Sequence, residues 1–197
     1  MEPKRIERIG ILGGTFDPVH EGHMALARAA LKQLRLDRLV FVPAFKHPLP
    51  NKESKTVASA EHRLKMTQLA IGGEPKFEVS DCEIKRKGIS YTIDTLKDFC
   101  KRYPKPNELF FITGGDWGKA LDQWKDIDAI FSLARFVVAK RPGFATKDLP
   151  KEVYLLDFVP LNISSTEVRT QLSKGTFKIS SVPPEVLAYV QKYQLYR

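Results

Sequence analysis

Two short segments carry residue types suited to holding anions. The first runs Gly13-Gly14-Thr15-Phe16-Asp17-Pro18-Val19-His20-Glu21-Gly22-His23. It lies between an apolar run, Ile9–Leu12, and a helical pattern that starts near Gly22. Two glycines and an Asp-Pro turn leave backbone N–H groups free there, and two histidines three residues apart add imidazole donors. The second segment runs Ile163-Ser164-Ser165-Thr166-Glu167-Val168-Arg169. It spells a capping box, with Ser164 as N-cap and Glu167 at the third helical position, and it brings Arg169 in one turn later. Free amides at a helix start and the positive end of the helix dipole bind anions, and a guanidinium adds charge-assisted bonds. Both segments therefore point to phosphate.

His20 and His23 allow three chemistries. A zinc pair needs a third ligand at a fixed spacing, and none stands nearby. General acid–base work wants a carboxylate partner, for which Asp17 is the candidate. In the third, both rings donate hydrogen bonds to phosphate oxygens. The glycines match neither the G-x-G-x-x-G dinucleotide fingerprint nor the P-loop, because no Gly-Lys-Ser/Thr follows. Weaker candidates lie elsewhere. Asp116 in Gly114-Gly115-Asp116-Trp117 can accept bonds from ribose hydroxyls, Ser90-Tyr91-Thr92 can read a small polar substrate, and Trp124 can pack in the core or stack on an aromatic base.

The elements that must position these residues alternate. Strands are expected at Ile9–Gly13, Leu39–Val42, Phe77–Ser80, Leu109–Thr113, Phe136–Ala139 and, more weakly, Val153–Leu156. Helices are expected over Gly22–Leu34, from Ser59 to Ile71, from Thr92 to Tyr103, from Ser164 to about Gly175, and after Pro183-Pro184. The first would present Ala25, Leu26, Ala29, Ala30 and Leu34 on one face, and the second has Leu64, Leu69 and Ala70 as apolar residues. Ala44–Thr56 is polar and proline-bearing and reads as a mobile loop. This order implies an α/β fold with a doubly wound, mainly parallel sheet, in one domain over residues 1–197 whose helical end, about 160–197, packs on the same unit. Ligands of such sheets lie beyond the carboxyl ends of the strands, where the loops carrying the candidates gather.

The chain has 197 residues, 43% of them hydrophobic, with a net charge of +9. No apolar run reaches the roughly 18 residues of a membrane span, and the charged start lacks a secretory segment. Cys82 and Cys100 form no C-x-x-C pattern and read as reduced thiols of a cytoplasmic protein. The positive charge is scattered among acids without interleaved aromatics, which fits small anionic substrates better than nucleic acid or membrane. A homo-oligomer is compatible with the sequence.

Together, Gly13-Gly14-Thr15-Phe16-Asp17-Pro18…His20-x-Gly22-His23 and Ile163-Ser164-Ser165-Thr166-x-x-Arg169 resemble the H-x-G-H and I-S-S-T-x-x-R signatures of the nucleotidyltransferase superfamily. Ser90-Tyr91-Thr92-x-Asp94-Thr95, Gly114–Asp116, Trp124, Lys140-Arg141-Pro142-Gly143 and Leu195-Tyr196 are similar to its bacterial nicotinate-nucleotide adenylyltransferases. The resemblance runs end to end. It implies a Rossmann-like fold and transfer of AMP from ATP to nicotinate mononucleotide, giving nicotinate adenine dinucleotide and pyrophosphate, with Mg²⁺ accompanying ATP and no metal held by the protein. It implies that His20, His23 and Arg169 hold the ATP phosphates and act in catalysis. Gly13, Gly14, Ile163, Ser164, Ser165 and Thr166 would complete the ATP site, and Asp116 would contact ribose. Thr15 and Phe16 would line the junction of the two substrates, and Lys46, Ser90, Tyr91, Thr92 and Trp124 would hold the mononucleotide. One departure stands out: the family's Pro-Pro-His-Lys after the second strand is here Phe45-Lys46-His47-Pro48-Leu49-Pro50-Asn51-Lys52. Two alternatives remain. In one the acceptor is swapped within the superfamily, as in pantetheine-phosphate adenylyltransferase or a cytidylyltransferase; in the other the chain is a nucleotide-sensing or nucleic-acid-binding module that kept the fold.

Overall fold

A computed structural model describes residues 5–48, 57–114, 121–140 and 149–197. Six strands form one all-parallel sheet in the order β3-β2-β1-β4-β5-β6. They are β1 (Arg8–Gly14), β2 (Arg38–Pro43), β3 (Phe77–Val79), β4 (Glu108–Thr113), β5 (Arg135–Ala139) and β6 (Val153–Leu156). Helices α1 (Glu21–Gln33), α2 (Ala60–Ala70), α3 (Cys82–Arg86), α4 (Thr92–Arg102), α5 (Ile127–Leu133), α6 (Ser165–Ser173) and α7 (Pro184–Lys192) connect and follow them. The strand order reverses between β1 and β4, the switch point at which doubly wound sheets open a crevice.

The sheet is buried on both sides because its strands are apolar in both registers. Ile9, Ile11, Val40 and Val42 face a cluster with Ile93, Leu96 and Phe99 of α4 and Ile130 of α5. Leu12, Leu39, Phe41 and Ile112 face the opposite cluster, with residues of α1, α2, α6 and α7. Val168, Leu172, Val186, Val190 and Tyr196 belong to that second cluster, so the C-terminal helices share the core of α1. Among the described residues, no helix is long and apolar enough to cross a membrane.

Several local expectations shift. The buried face of α1 is Met24, Leu26, Ala27 and Ala30, turned from the expected one, since Ala25 and Ala29 keep partial exposure. In α2 the buried stripe is Ala60, Arg63, Met66 and Thr67 rather than Leu64, Leu69 and Ala70. Arg63 is 2% exposed because backbone carbonyls take up its guanidinium: it donates to Ala58, Thr15 and Phe45 at 3.1, 2.8 and 3.1 Å. The short helices α3 and α5 are additions to the expected list. Within the Ala44–Thr56 loop, residues 49–56 lie outside the described residues.

Candidate active site

The loop from Gly14 to His20 leaves the end of β1 and enters α1 over the switch point. Phe16 adopts a left-handed backbone (φ 52°), a conformation costly for a bulky residue, and its ring is 2% exposed. That ring folds back so closely that a Cβ on residue 14 would stand 2.8 Å from it, which requires Gly14. A Cβ on residue 22 would meet the His20 ring at 3.0 Å, so Gly22 lets the two histidines close up.

His20 and His23 stack at 3.8 Å between ring centroids, and Phe16 meets His23 edge-on at 5.1 Å. His23 Nδ1 accepts from the backbone N–H of His20 at 3.2 Å. The proton of a neutral His23 therefore sits on Nε2. His20 Nδ1 is buried without a hydrogen-bond partner among the described residues. Burial lowers the His20 pKa to about 4. Burial, with repulsion from His20 second, pushes His23 well below the usual histidine value. Both rings are thus neutral donors at physiological pH, and both line a cavity of about 820 Å³.

The second segment opens on the same cavity. Ser164 caps α6, accepting from the Glu167 amide at 3.1 Å, which realises the forward half of the expected capping box. Ser165 Oγ donates to the Pro18 carbonyl at 3.1 Å. Arg169 donates to the Asp17 carbonyl at 2.7 Å and to Thr166 Oγ1 at 3.3 Å. The start of α6 is thereby tied to the loop that feeds α1, and the two anion-binding ends form one rigid rim.

Asp17 is not a partner of either histidine. Its carboxylate is 2% exposed and accepts from the Val57 and Ala58 amides at 2.7 and 3.1 Å and from the Tyr196 hydroxyl at 2.7 Å. Arg169 lies 3.8 Å from its Oδ2. Asp17 thus joins α2, the C-terminal tail and Arg169 in one buried network.

The remaining candidates divide. Gly13, Gly14, Thr15, Phe16, Ile163, Ser164, Ser165 and Thr166 line the cavity, as do Ser90, Tyr91, Thr92 and Trp124. Trp124 is half-buried, edge-on to Phe111 and Phe136 at 5.7 and 5.1 Å, so it is both core and wall. Tyr91 precedes α4 as its N-cap residue, and Ser90 Oγ accepts from the Phe45 amide at 2.9 Å. Lys46 is the exception: it is exposed, its carbonyl accepts from the Ser90 amide at 2.8 Å, and its neighbours His47 and Pro48 face the cavity instead. Asp116, Gly115, Trp117, Lys52 and Arg141–Gly143 lie outside the described residues.

Three further groups belong to the site without having been expected. Glu83 lines the cavity although only 7% exposed; it accepts from Thr95 Oγ1 at 2.5 Å, and burial raises its pKa. Arg63 staples Thr15 to Phe45 from beneath. Lys125 lines the cavity with its ammonium 4.6 Å from the centre of the Tyr91 ring. Among the described residues, no three or more His, Cys, Asp or Glu side chains group to hold a metal ion.

A doubly wound sheet with two helix starts on one switch-point cavity suits a phosphate-bearing ligand, and the comparisons supply the family. The cytidylyltransferase-like family model matches residues 11–171. A "probable nicotinate-nucleotide adenylyltransferase" of Desulfitobacterium hafniense is 39% identical over 202 residues, covering 97% of this chain and 96% of that protein. One from Clavibacter michiganensis is 42% identical over 193 residues, covering 96% and 94%. The solved structure of Plasmodium falciparum nicotinic acid mononucleotide adenylyltransferase complexed with NaAD superposes with a TM-score of 0.75 at 23% identity, over 96% of this chain and 97% of that one. The chain belongs to the cytidylyltransferase-like nucleotidyltransferases and, within them, to the nicotinate-nucleotide adenylyltransferase family.

Proposed function

We propose that the protein transfers AMP from ATP to nicotinate mononucleotide, releasing pyrophosphate and nicotinate adenine dinucleotide in NAD biosynthesis. The observation that carries this is the shared cavity: stacked His20 and His23 and the α6 start with Arg169 on one rim, Tyr91, Thr92 and Trp124 on another wall. The first set suits a triphosphate. The second suits a flat ring bearing a small polar group.

In this reading an oxygen of the mononucleotide phosphate attacks the α-phosphorus of ATP in line. The bond from that phosphorus to the bridging oxygen breaks, and pyrophosphate leaves. No covalent enzyme intermediate is needed, because positioning and charge stabilisation supply the catalysis. His23, with its proton on Nε2, donates to the α-phosphate as charge builds and shifts toward the leaving group. His20 and Arg169 hold the outer phosphates, with the Ser165 and Thr166 amides, and Gly13, Gly14, Ile163 and Ser164 shape the surrounding wall. Asp116 contacts the ribose. Thr15 and Phe16 stand where the two substrates meet, and Ser90, with Lys46 behind it, supports the mononucleotide wall. Mg²⁺ enters with the triphosphate as part of the substrate. The reading also treats residues 1–197 as one nucleotidyltransferase domain in the cytoplasm, alone or as a homo-oligomer, working on small nucleotides rather than nucleic acid or membrane.

The test is pyrophosphate release by the purified protein with MgATP and a panel of acceptors: nicotinate mononucleotide, nicotinamide mononucleotide and phosphopantetheine. Turnover is expected to be fastest with nicotinate mononucleotide. Turnover only with phosphopantetheine, or none with any acceptor, overturns the proposal.

A further inference from the structure

We infer that Lys125 determines acceptor specificity by pairing its ammonium with the carboxylate of the acceptor's pyridine ring; this rests on the function proposed above. The cation stands beside Tyr91, on the wall proposed for the mononucleotide. Tyr91, Thr92, Gln123, Trp124 and Lys125 line the same cavity as the His20–Arg169 rim that suits the triphosphate. The Lys125 ammonium lies 4.6 Å from the Tyr91 ring centre, so the ring face holds an otherwise flexible charge beside the wall proposed for the pyridine ring.

The neighbouring charged side chains of that wall already have partners. The neighbouring cation Arg86 is occupied by Asp98 at 2.8 Å and Thr95 at 3.1 Å. Glu83, the acid of that wall, is bonded to Thr95 at 2.5 Å, and the positive charges acting on it come from Arg86 and Arg63. Lys125 forms no ion pair with a carboxylate among the described residues; its side chain is exposed and its ammonium rests on the Tyr91 ring. A carboxylate on the ring completes it, and a carboxamide, being neutral, does not. A charge-assisted bond of this kind discriminates by about 10- to 100-fold.

The experiment compares kcat/KM for nicotinate and nicotinamide mononucleotides at saturating MgATP in the wild type, Lys125→Met and Lys125→Arg. The acid-over-amide ratio should fall by about 10- to 100-fold in Lys125→Met, through a raised KM for the acid, and largely return in Lys125→Arg. An unchanged ratio overturns the inference. So does an equal loss on both acceptors, which marks Lys125 as packing for Tyr91. Wild-type turnover of neither acceptor overturns the proposed function and this inference with it.

Discussion

The two ends of the sheet treat charge in opposite ways. At the amino end, arginines and acids on neighbouring strands neutralise one another. Arg38 of β2 pairs with Glu7 and with Glu78 of β3, each at 2.9 Å, and Glu108 of β4 takes Arg8 of β1 at 2.5 Å and Arg135 of β5 at 2.6 Å. Arg5 and the Arg8 amide close the row on Asp37. At the carboxyl end the corresponding groups lean less on acids: among the described residues the one ion pair made by Arg169, Lys125, His20 or His23 is that of Arg169 with Asp17, at 3.8 Å. Arg169 is turned onto a backbone carbonyl, Lys125 onto an aromatic face, and two histidines are buried neutral against each other. One end uses its charges within the fold; in the proposed function the other keeps its donors for a ligand that brings its own charge.

That contrast breaks most sharply at His23. His23→Ala is expected to lower kcat by about 100- to 1,000-fold, the scale of removing one preorganised donor to a developing charge, or roughly 2.7–4 kcal/mol. The melting temperature should also fall, because the ring packs on His20 and Phe16 and accepts from the His20 amide, so kcat is read well below the variant's own melting temperature. A kcat within a few-fold of the wild type removes His23 from the mechanism.

The histidines also set a pH signature. His20 ionises at about 4 in the fold against 6.5 in the unfolded chain. The unfolded state therefore binds the proton first on acidification. The stability from a neutral His20 is fully present above pH 6.5 and is lost as pH falls from 6.5 towards 4, on the order of 3 kcal/mol in total. His23 adds to this in the same direction. Denaturant melts of the ligand-free protein should weaken across that window, and His20→Asn should flatten the slope. A slope unaffected by that substitution refutes a buried, neutral His20.

The same contrast explains what was legible in the sequence. The segments proposed to hold phosphate are local in the chain: His20 and His23 are three residues apart, and Ser164–Arg169 is a single helix start, so spacing alone exposes them. The alternation of strands and helices likewise reads out the parallel sheet. The supporting groups are non-local. Asp17 meets Tyr196 across 179 residues and Val57 across 40, and Arg63 reaches Thr15 across 48. A polar residue on the buried stripe of α2 looks like a solvent face until those carbonyls are in place. Lys46 differs for the opposite reason: it stands beside the site in sequence, yet the pairing that places it runs through its backbone, to Ser90 and Ile89, and its side chain is exposed. Glu83 gave no signal because its partner Thr95 sits on the next helix.

The smallest expected effect lies at the amino end, and it tests whether the two ends are independent. Glu108 holds two arginines, so Glu108→Gln removes the charge from both pairs at once. The side chains are about a third exposed (Glu108 30%, Arg8 34%, Arg135 43%), so solvent screens them. Arg8 and Arg135 also keep the Phe110 ring, at 4.6 and 5.5 Å, after the acid is gone. The loss should be about 1 kcal/mol in low salt and shrink as ionic strength rises. The KM values for both substrates and kcat should match the wild type, because Glu108 starts β4 and the cavity opens past its other end at Thr113 and Gly114. A changed KM for ATP would mean that strain at the foot of β1 and β4 reaches the loop carrying His20, and that the sheet couples its ends instead of separating them.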